Sequence, residues 1–150
     1  MHQPLIVYSE EKRSITDNLR QAFDDVATSD LTIDVEGKSI YVHKAILKLR
    51  SQYFNTMFQK QRADNSHSAI KHEQFCYNVY RTFLEYLYTD EIHLAEENIH
   101  ELLELAVTYS DSVLRDRCIR LSKSGIKIDN VVSLYSISIK HDLKVSKHSV

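Results

Sequence analysis

Eight histidines, two cysteines and frequent serines are the residues of this 150-residue chain able to bind a metal or attack a carbonyl. Their spacing decides whether they do. A zinc site calls for His and Cys at short fixed intervals, such as two histidines one helical turn apart around a Glu, or paired cysteines. No histidine here has that setting: His67 and His72 straddle a loop-to-strand transition, and none lies beside a cysteine pair. His100 and Glu104 are one helical turn apart, which on an exposed face makes a contact of a few tenths of a kcal/mol and not an acid–base dyad. A serine nucleophile elbow needs flanking glycines, and phosphate-cradling or dinucleotide loops need several at fixed spacing. Gly37 and Gly125 are the only two glycines, so nucleotide-binding loops of those kinds are excluded and hydrolase chemistry is unsupported. His43-Lys44 sits where a strand pattern gives way to a helical one, and His43 reads as a histidine held there by backbone hydrogen bonds. Cys76 and Cys118 lie far apart among apolar residues of helical patterns. They read as buried, reduced thiols, favouring an intracellular compartment, cytoplasm or nucleus. The sequence thus predicts no catalytic residue, cofactor or metal.

The elements around these residues follow from periodicity. Ser14 is a plausible N-cap for a helix carrying Ile15, Leu19, Ala22, Phe23 and Val26 and ending near Asp25. Leu31, Ile33 and Val35 alternate with polar residues, and Glu36-Gly37-Lys38 supplies a turn before Ile40 to Val42, predicting a β-hairpin. A short helix follows from Lys44, and Ser51 caps another carrying Tyr53, Phe54, Met57 and Phe58. Residues 59–68 read as a polar loop and 69–73 as a short strand. Cys76, Val79, Tyr80, Phe83, Leu84, Leu87 and Tyr88 keep one helical stripe, the clearest periodic signal in the chain. Glu91 to Leu94 reads as another strand. Two more helices are marked by Ile99 to Tyr109 and by Val113 to Leu121, with Gly125 as a stop. The final segment, 126–150, reads as one further apolar face over Val131 to Tyr135 and a polar, basic tail.

Composition narrows the class. Hydrophobic residues at 43% and charged residues at 27% match a compact globular domain and suggest neither disorder nor a membrane class. Nineteen Lys and Arg against 21 Asp and Glu, interleaved, leave a net charge of −2 and no broad positive face for phosphates. Direct nucleic-acid binding is not expected. The opening MHQPLIVYSEEKR has an apolar run of only Leu5 to Tyr8, too short for a leader or a membrane span.

Asp30-Leu31 at the hairpin, His43-Lys44-Ala45-Ile46-Leu47, Ser51-Gln52-Tyr53-Phe54 and Met57-Phe58 together resemble the core signature of BTB/POZ domains. The likeness continues through Phe83-Leu84-Glu85-Tyr86-Leu87-Tyr88-Thr89-Asp90 and Leu102-Leu103-Glu104-Leu105-Ala106, and covers about Ile15 to Ser124. Within the family, YVHKAILKLRSQYF and YNVYRTFLEYLYTD look most like the BTB domain of proteins that also carry a chromosome-condensation-regulator-type β-propeller. The resemblance implies an α+β fold, a small β-sheet capped by a cluster of α-helices. It divides the chain into an N-terminal strand and linker (1–13), a BTB/POZ domain (14–124) and the start of a BACK-like helical extension with its tail (125–150).

By the same resemblance the chain is a non-enzymatic interaction module that homodimerises and serves as substrate adaptor, or part of one, for a cullin-3 ubiquitin ligase. The alternative is a dimerisation or scaffold module without ligase recruitment, in a transcription-related setting. The implied dimer interface takes in Leu5, Ile6 and Val7 of the N-terminal strand, and Ile15, Leu19 and Phe23 of the first helix. A terminal strand leaves unpaired N–H and C=O groups and needs a sheet edge, for which Glu91 to Leu94 of a second copy is the candidate. Asp30 and Lys44 match an interfacial charged pair of the family and are read as pairing with each other. Tyr53, Phe54, Arg62, Asp64 and Tyr109 are the cullin-facing set. Arg62 departs from the family's bulky apolar anchor, a change that costs about 2 kcal/mol or more at such a position. An enzyme, the third class, would need convergent titratable groups that the chain does not assemble.

Overall fold

The computed structural model describes residues 3–6, 14–61 and 68–125. The chain forms α1 (Ile15–Ala22), β1 (Leu31–Val35), β2 (Lys38–Val42), α2 (Lys44–Arg50), α3 (Gln52–Gln59), β3 (Ser68–His72), α4 (Tyr77–Thr89), a 3₁₀ turn (Glu96–Asn98), α5 (Ile99–Thr108) and α6 (Ser112–Gly125). The class is α+β. One three-stranded sheet, in the order β2-β1-β3, lies against the helices.

The hairpin follows from its turn. Val35 pairs with Lys38, so only Glu36 and Gly37 connect the strands, both at positive φ (52° and 76°). Two left-handed residues give a turn whose twist matches that of the strands. β3 then runs parallel to β1, Leu31 opposite Ser68 and Val35 opposite His72. On β1 the residues Leu31, Ile33 and Val35 are wholly buried, as the alternation predicted.

The core joins this sheet face to the stripe of α4 and to Leu102, Leu103, Leu105 and Ala106 of α5. Its thickest part is aromatic. Phe54 stacks on Phe58 and Phe83 at centroid distances of 5.8 and 6.4 Å, and Tyr109 meets Phe54 and Phe83 edge-on at 5.9 and 5.3 Å. Such offset and edge-to-face pairs add about 0.5–1.5 kcal/mol each beyond the area they bury.

Three expectations change. The first helix stops at Ala22, because Asp24 takes a left-handed conformation (φ 59°) and turns the chain onto the sheet. There its N–H donates to Tyr41 O at 2.9 Å, Tyr41 N–H donates to its Oδ1 at 3.0 Å, and Arg81 donates to its Oδ2 at 2.8 Å. Glu91 to Leu94 is irregular and not a strand. Its backbone is bonded to α4 side chains instead, with Glu91 N–H donating to Thr89 Oγ1 (3.1 Å) and Thr82 Oγ1 donating to His93 O (3.2 Å). Cys76 is half-buried and not fully buried: it is the N-cap of α4, packed against the core, with its thiol donating to Glu101 Oε2 at 2.8 Å. Desolvation, then the Glu101 carboxylate, pushes its pKa up. Cys118 is fully buried as expected, and burial pushes its thiol up to about 12. The predicted apolar face of 131–135 and the BACK-like segment lie outside the described residues.

Candidate functional site

The region around His43 shows how the sequence motif works. His43 N–H donates to Tyr88 Oη at 2.8 Å, and His43 Nδ1 lies 2.7 Å from the same oxygen. Nε2 lies 2.8 Å from Thr28 Oγ1, which itself donates to Asp25 Oδ2 at 2.8 Å. Because the Thr28 hydroxyl spends its proton on Asp25, it accepts from Nε2–H, which leaves Nδ1 as the acceptor of the Tyr88 hydroxyl. Both ring nitrogens are thereby engaged, which fixes the orientation of the imidazole. His43 is structural, as predicted, but its ring is held by side chains of α4 and of the loop before β1, not by backbone groups. Tyr88 is buried, and desolvation raises its pKa.

Asp30 and Lys44 are brought together, in a different way from a simple charge pair. Asp30 Oδ1 accepts the Lys44 backbone N–H at 2.8 Å, while Lys44 Nζ donates to Ser68 Oγ at 2.9 Å. His43 makes no side-chain cap on α2, so Asp30 satisfies one of the orphan donors at that helix start from the far side of the hairpin.

Among the described residues, two surfaces leave apolar or aromatic side chains open to solvent. The first is a groove of about 560 Å³ between α3 and the end of α5, walled by Gln52, Met57 and Lys60 with Tyr53 and Tyr109 in its floor. Its shape comes from two caps. Ser51 ends α2 and starts α3, its Oγ accepting Phe54 N–H at 3.3 Å. Ser110 turns left-handed (φ 57°) after α5, where Asp111 N–H donates to Ala106 O and Asp111 Oδ1 accepts Leu114 N–H at the start of α6. These turns set Tyr109 flat against Tyr53, with centroids 3.8 Å apart and planes 11° apart. Tyr53 is 36% exposed and Tyr109 4%. Tyr109 also shares a 2.9 Å hydrogen bond with buried Tyr80, and desolvation raises the pKa of both. Phe54, placed in the cullin-facing set by the sequence, is 1% exposed. Its helix turns it 100° from Tyr53 into the core, so it supports the groove without lining it. Arg62 and Asp64 lie outside the described residues.

The second surface is α1 and its surroundings. No residue of α1 itself is buried, and Ile15 is 78% exposed. Leu19 is half-buried. Val26, shortly after α1, and Leu49 of α2 are also exposed, at 65% and 84%. Phe23 is not: its ring lies 5.3 Å from Tyr88 and under the Arg81 guanidinium at 4.9 Å, so it belongs to the core and not to a dimer face. Leu5 and Ile6 are exposed, and Val7 lies outside the described residues.

Sequence reasoning missed the partners of Asp24, His43 and Tyr109. They stand 57, 45 and 29 residues away in Arg81, Tyr88 and Tyr80, and no local spacing announces such pairs. Among the described residues no cluster of three or more His, Cys, Asp or Glu could hold a metal ion, and no helix is long and apolar enough to cross a membrane.

Comparison with known proteins agrees with this architecture. Human Kelch-like protein 24 is 28% identical over 135 residues, covering 87% of this chain and 22% of its own length. A BTB/POZ domain-containing protein of Arabidopsis thaliana is 30% identical over 136 residues, covering 91% of this chain and 53% of its own. The chain therefore spans only about a fifth to a half of these curated relatives. Among solved structures, the BTB domain of zebrafish PATZ1 matches with a TM-score of 0.64 and 23% identity, covering 81% of this chain and 100% of that one. The BTB domain of human Gigaxonin matches at 0.59 and 21%, covering 79% and 98%. These likenesses show the same fold. A BTB/POZ domain model matches residues 19–125, and this chain belongs to the BTB/POZ domain family.

Proposed function

We propose that this chain is the dimerising adaptor module of a cullin-3 ubiquitin ligase, docking the scaffold in the α3–α5 groove while a companion domain holds the substrate. The observation that carries the reading is the Tyr53–Tyr109 stack, which offers an aromatic surface already rigid before binding. A pre-ordered aromatic anchor costs little entropy on association and is the side-chain type that dominates interface energies. Relatives named for Kelch repeats support a companion β-propeller, the architecture those repeats build. A chromosome-condensation-regulator-type propeller is the form we favour from the sequence. Calorimetric titration with the N-terminal domain of cullin-3 tests the reading: no binding at about 100 μM, short of about 5.5 kcal/mol, rejects it.

Homodimerisation is the second half of the proposal, and it is also the reading that survives if the ligase role fails. An eight-residue helix is marginal by itself in water, and α1 buries no residue of its own. A second copy meeting Ile15 and Leu19 about a two-fold axis would supply further apolar contact. Ile15→Asp is the appropriate probe, because Ile15 makes so little contact in the monomer that the change leaves fold stability within about 0.5 kcal/mol. Light scattering at tens of micromolar should show a dimer for the native chain and a monomer for I15D. A native chain that is already monomeric there refutes the dimer.

A further inference from the structure

The aromatic floor of the groove continues through the molecule to a second cavity. Tyr53 stacks on Tyr109, Tyr109 shares a hydrogen bond with Tyr80, and Tyr80 stacks on His72 with centroids 3.9 Å apart and planes 22° apart. On its other side His72 is parallel to the Phe75 ring at 5.7 Å, and its Nε2 accepts the Phe75 backbone N–H at 3.1 Å. That bond needs a lone pair on Nε2, so the ring is neutral with its proton on Nδ1. We propose that protonation of His72 loosens the floor of the α3–α5 groove, making the docking surface sensitive to pH.

The physical reason is local. A proton on Nε2 sets donor against donor, and Phe75, which is 4% exposed, has little access to water as a replacement acceptor. An imidazolium over Tyr80 gains some cation–π attraction, but it cannot restore the lost bond. Tyr80 and Tyr109 are 2% and 4% exposed, and close-packed interiors pass displacement on. Among the described residues, the charged groups that line this cavity with His72 are Asp34 of β1, Glu36 of the hairpin turn, and Lys71 and Glu73 on either side of it. Lys71 Nζ pairs with Glu73 Oε1 at 3.2 Å and Asp34 accepts from Ser39 at 2.6 Å, while the α4 ring stacked on His72 is the uncharged Tyr80. Burial holds the His72 pKa below its ordinary value, consistent with a ring that must lose its proton to fit.

If only the neutral form leaves the groove competent, affinity at that groove falls up to about tenfold for each pH unit below the His72 pKa. The use of this coupling rests on the docking role proposed above, so the test separates the two. The chain has two methionines, Met1 and Met57, and Met57 lines the groove. Methyl-labelled methionine followed by NMR from about pH 8 to about pH 5 reports on the groove with no partner present. The Met57 methyl should shift with the same midpoint as the His72 ring, and the transition should vanish in His72→Gln or, should that variant fold poorly, in His72→Phe. A flat Met57 signal while His72 titrates overturns the proposal. So does a His72 ring that never titrates, or a Met57 transition that persists in the variants. A Met57 signal that tracks His72 in a chain that does not bind cullin-3 sustains the coupling and removes only the ligase reading.

Discussion

Replacing Tyr88 by Phe removes one oxygen from the centre of the molecule and nothing else. That oxygen accepts the His43 backbone N–H at 2.8 Å and bonds His43 Nδ1 at 2.7 Å, in a side chain that is 3% exposed. Orphaning a buried N–H costs about 1–3 kcal/mol, and losing a neutral side-chain hydrogen bond about 0.5–1.5 kcal/mol. The two share an oxygen, so the expected loss is about 2–3 kcal/mol. The ring itself stays, and its packing against Phe23 with it. With a urea m-value of about 2 kcal/mol/M for a domain of this size, the midpoint should fall by about 1–1.5 M with m unchanged. The melting temperature should fall by about 5–10 °C. Urea unfolding followed by far-UV circular dichroism measures both terms. A loss under about 0.5 kcal/mol would refute the reasoning, since it would mean that the strand-to-helix junction does not depend on Tyr88 to satisfy its N–H.

Neighbouring aromatics separate core from surface: Phe54→Ala should cost about 3–5 kcal/mol of stability, whereas Tyr53→Ala should be read mainly in partner binding, by calorimetry. Asp30→Ala should cost about 1 kcal/mol through loss of the α2 cap, and Asp30→Asn should recover most of it, both by urea unfolding. The His72 pKa is lowered on folding, so the folded chain binds fewer protons than the unfolded chain. Its contribution to stability is complete above the unfolded value near 6.5 and is lost as pH falls toward the folded value. Thermal unfolding should therefore show a drop below about pH 6.5 that is smaller in His72→Phe.

Much of this was legible in the chain. The hairpin, the stripe of α4 and the Ser51 cap came from period and turn chemistry, because those signals act between residues within four positions of one another. The candidate site was less legible. Tyr53 was visible as an aromatic on a short helix, but neither its stacking on Tyr109 nor the burial of Phe54 beside it follows from spacing, since both depend on where α5 ends in space. Phe23 shared the apolar period of α1 with Ile15 and Leu19. Only the turn at Asp24 shows that it faces inward while they do not.

The sequence by itself determined the hairpin and most of the helices, which rest on local backbone preference and the burial of periodic apolar residues, and its motifs carried the resemblance to a known family. The tertiary structure alone decided the Tyr88–His43 junction, the Asp24–Arg81 anchor, the irregular course of Glu91 to Leu94 and the aromatic path from His72 to the groove. Each of these joins groups that are remote in the chain, or takes a backbone segment out of the sheet because distant side chains satisfy it. Satisfying buried polar groups is a condition on the whole fold, and no window of sequence contains both halves of it.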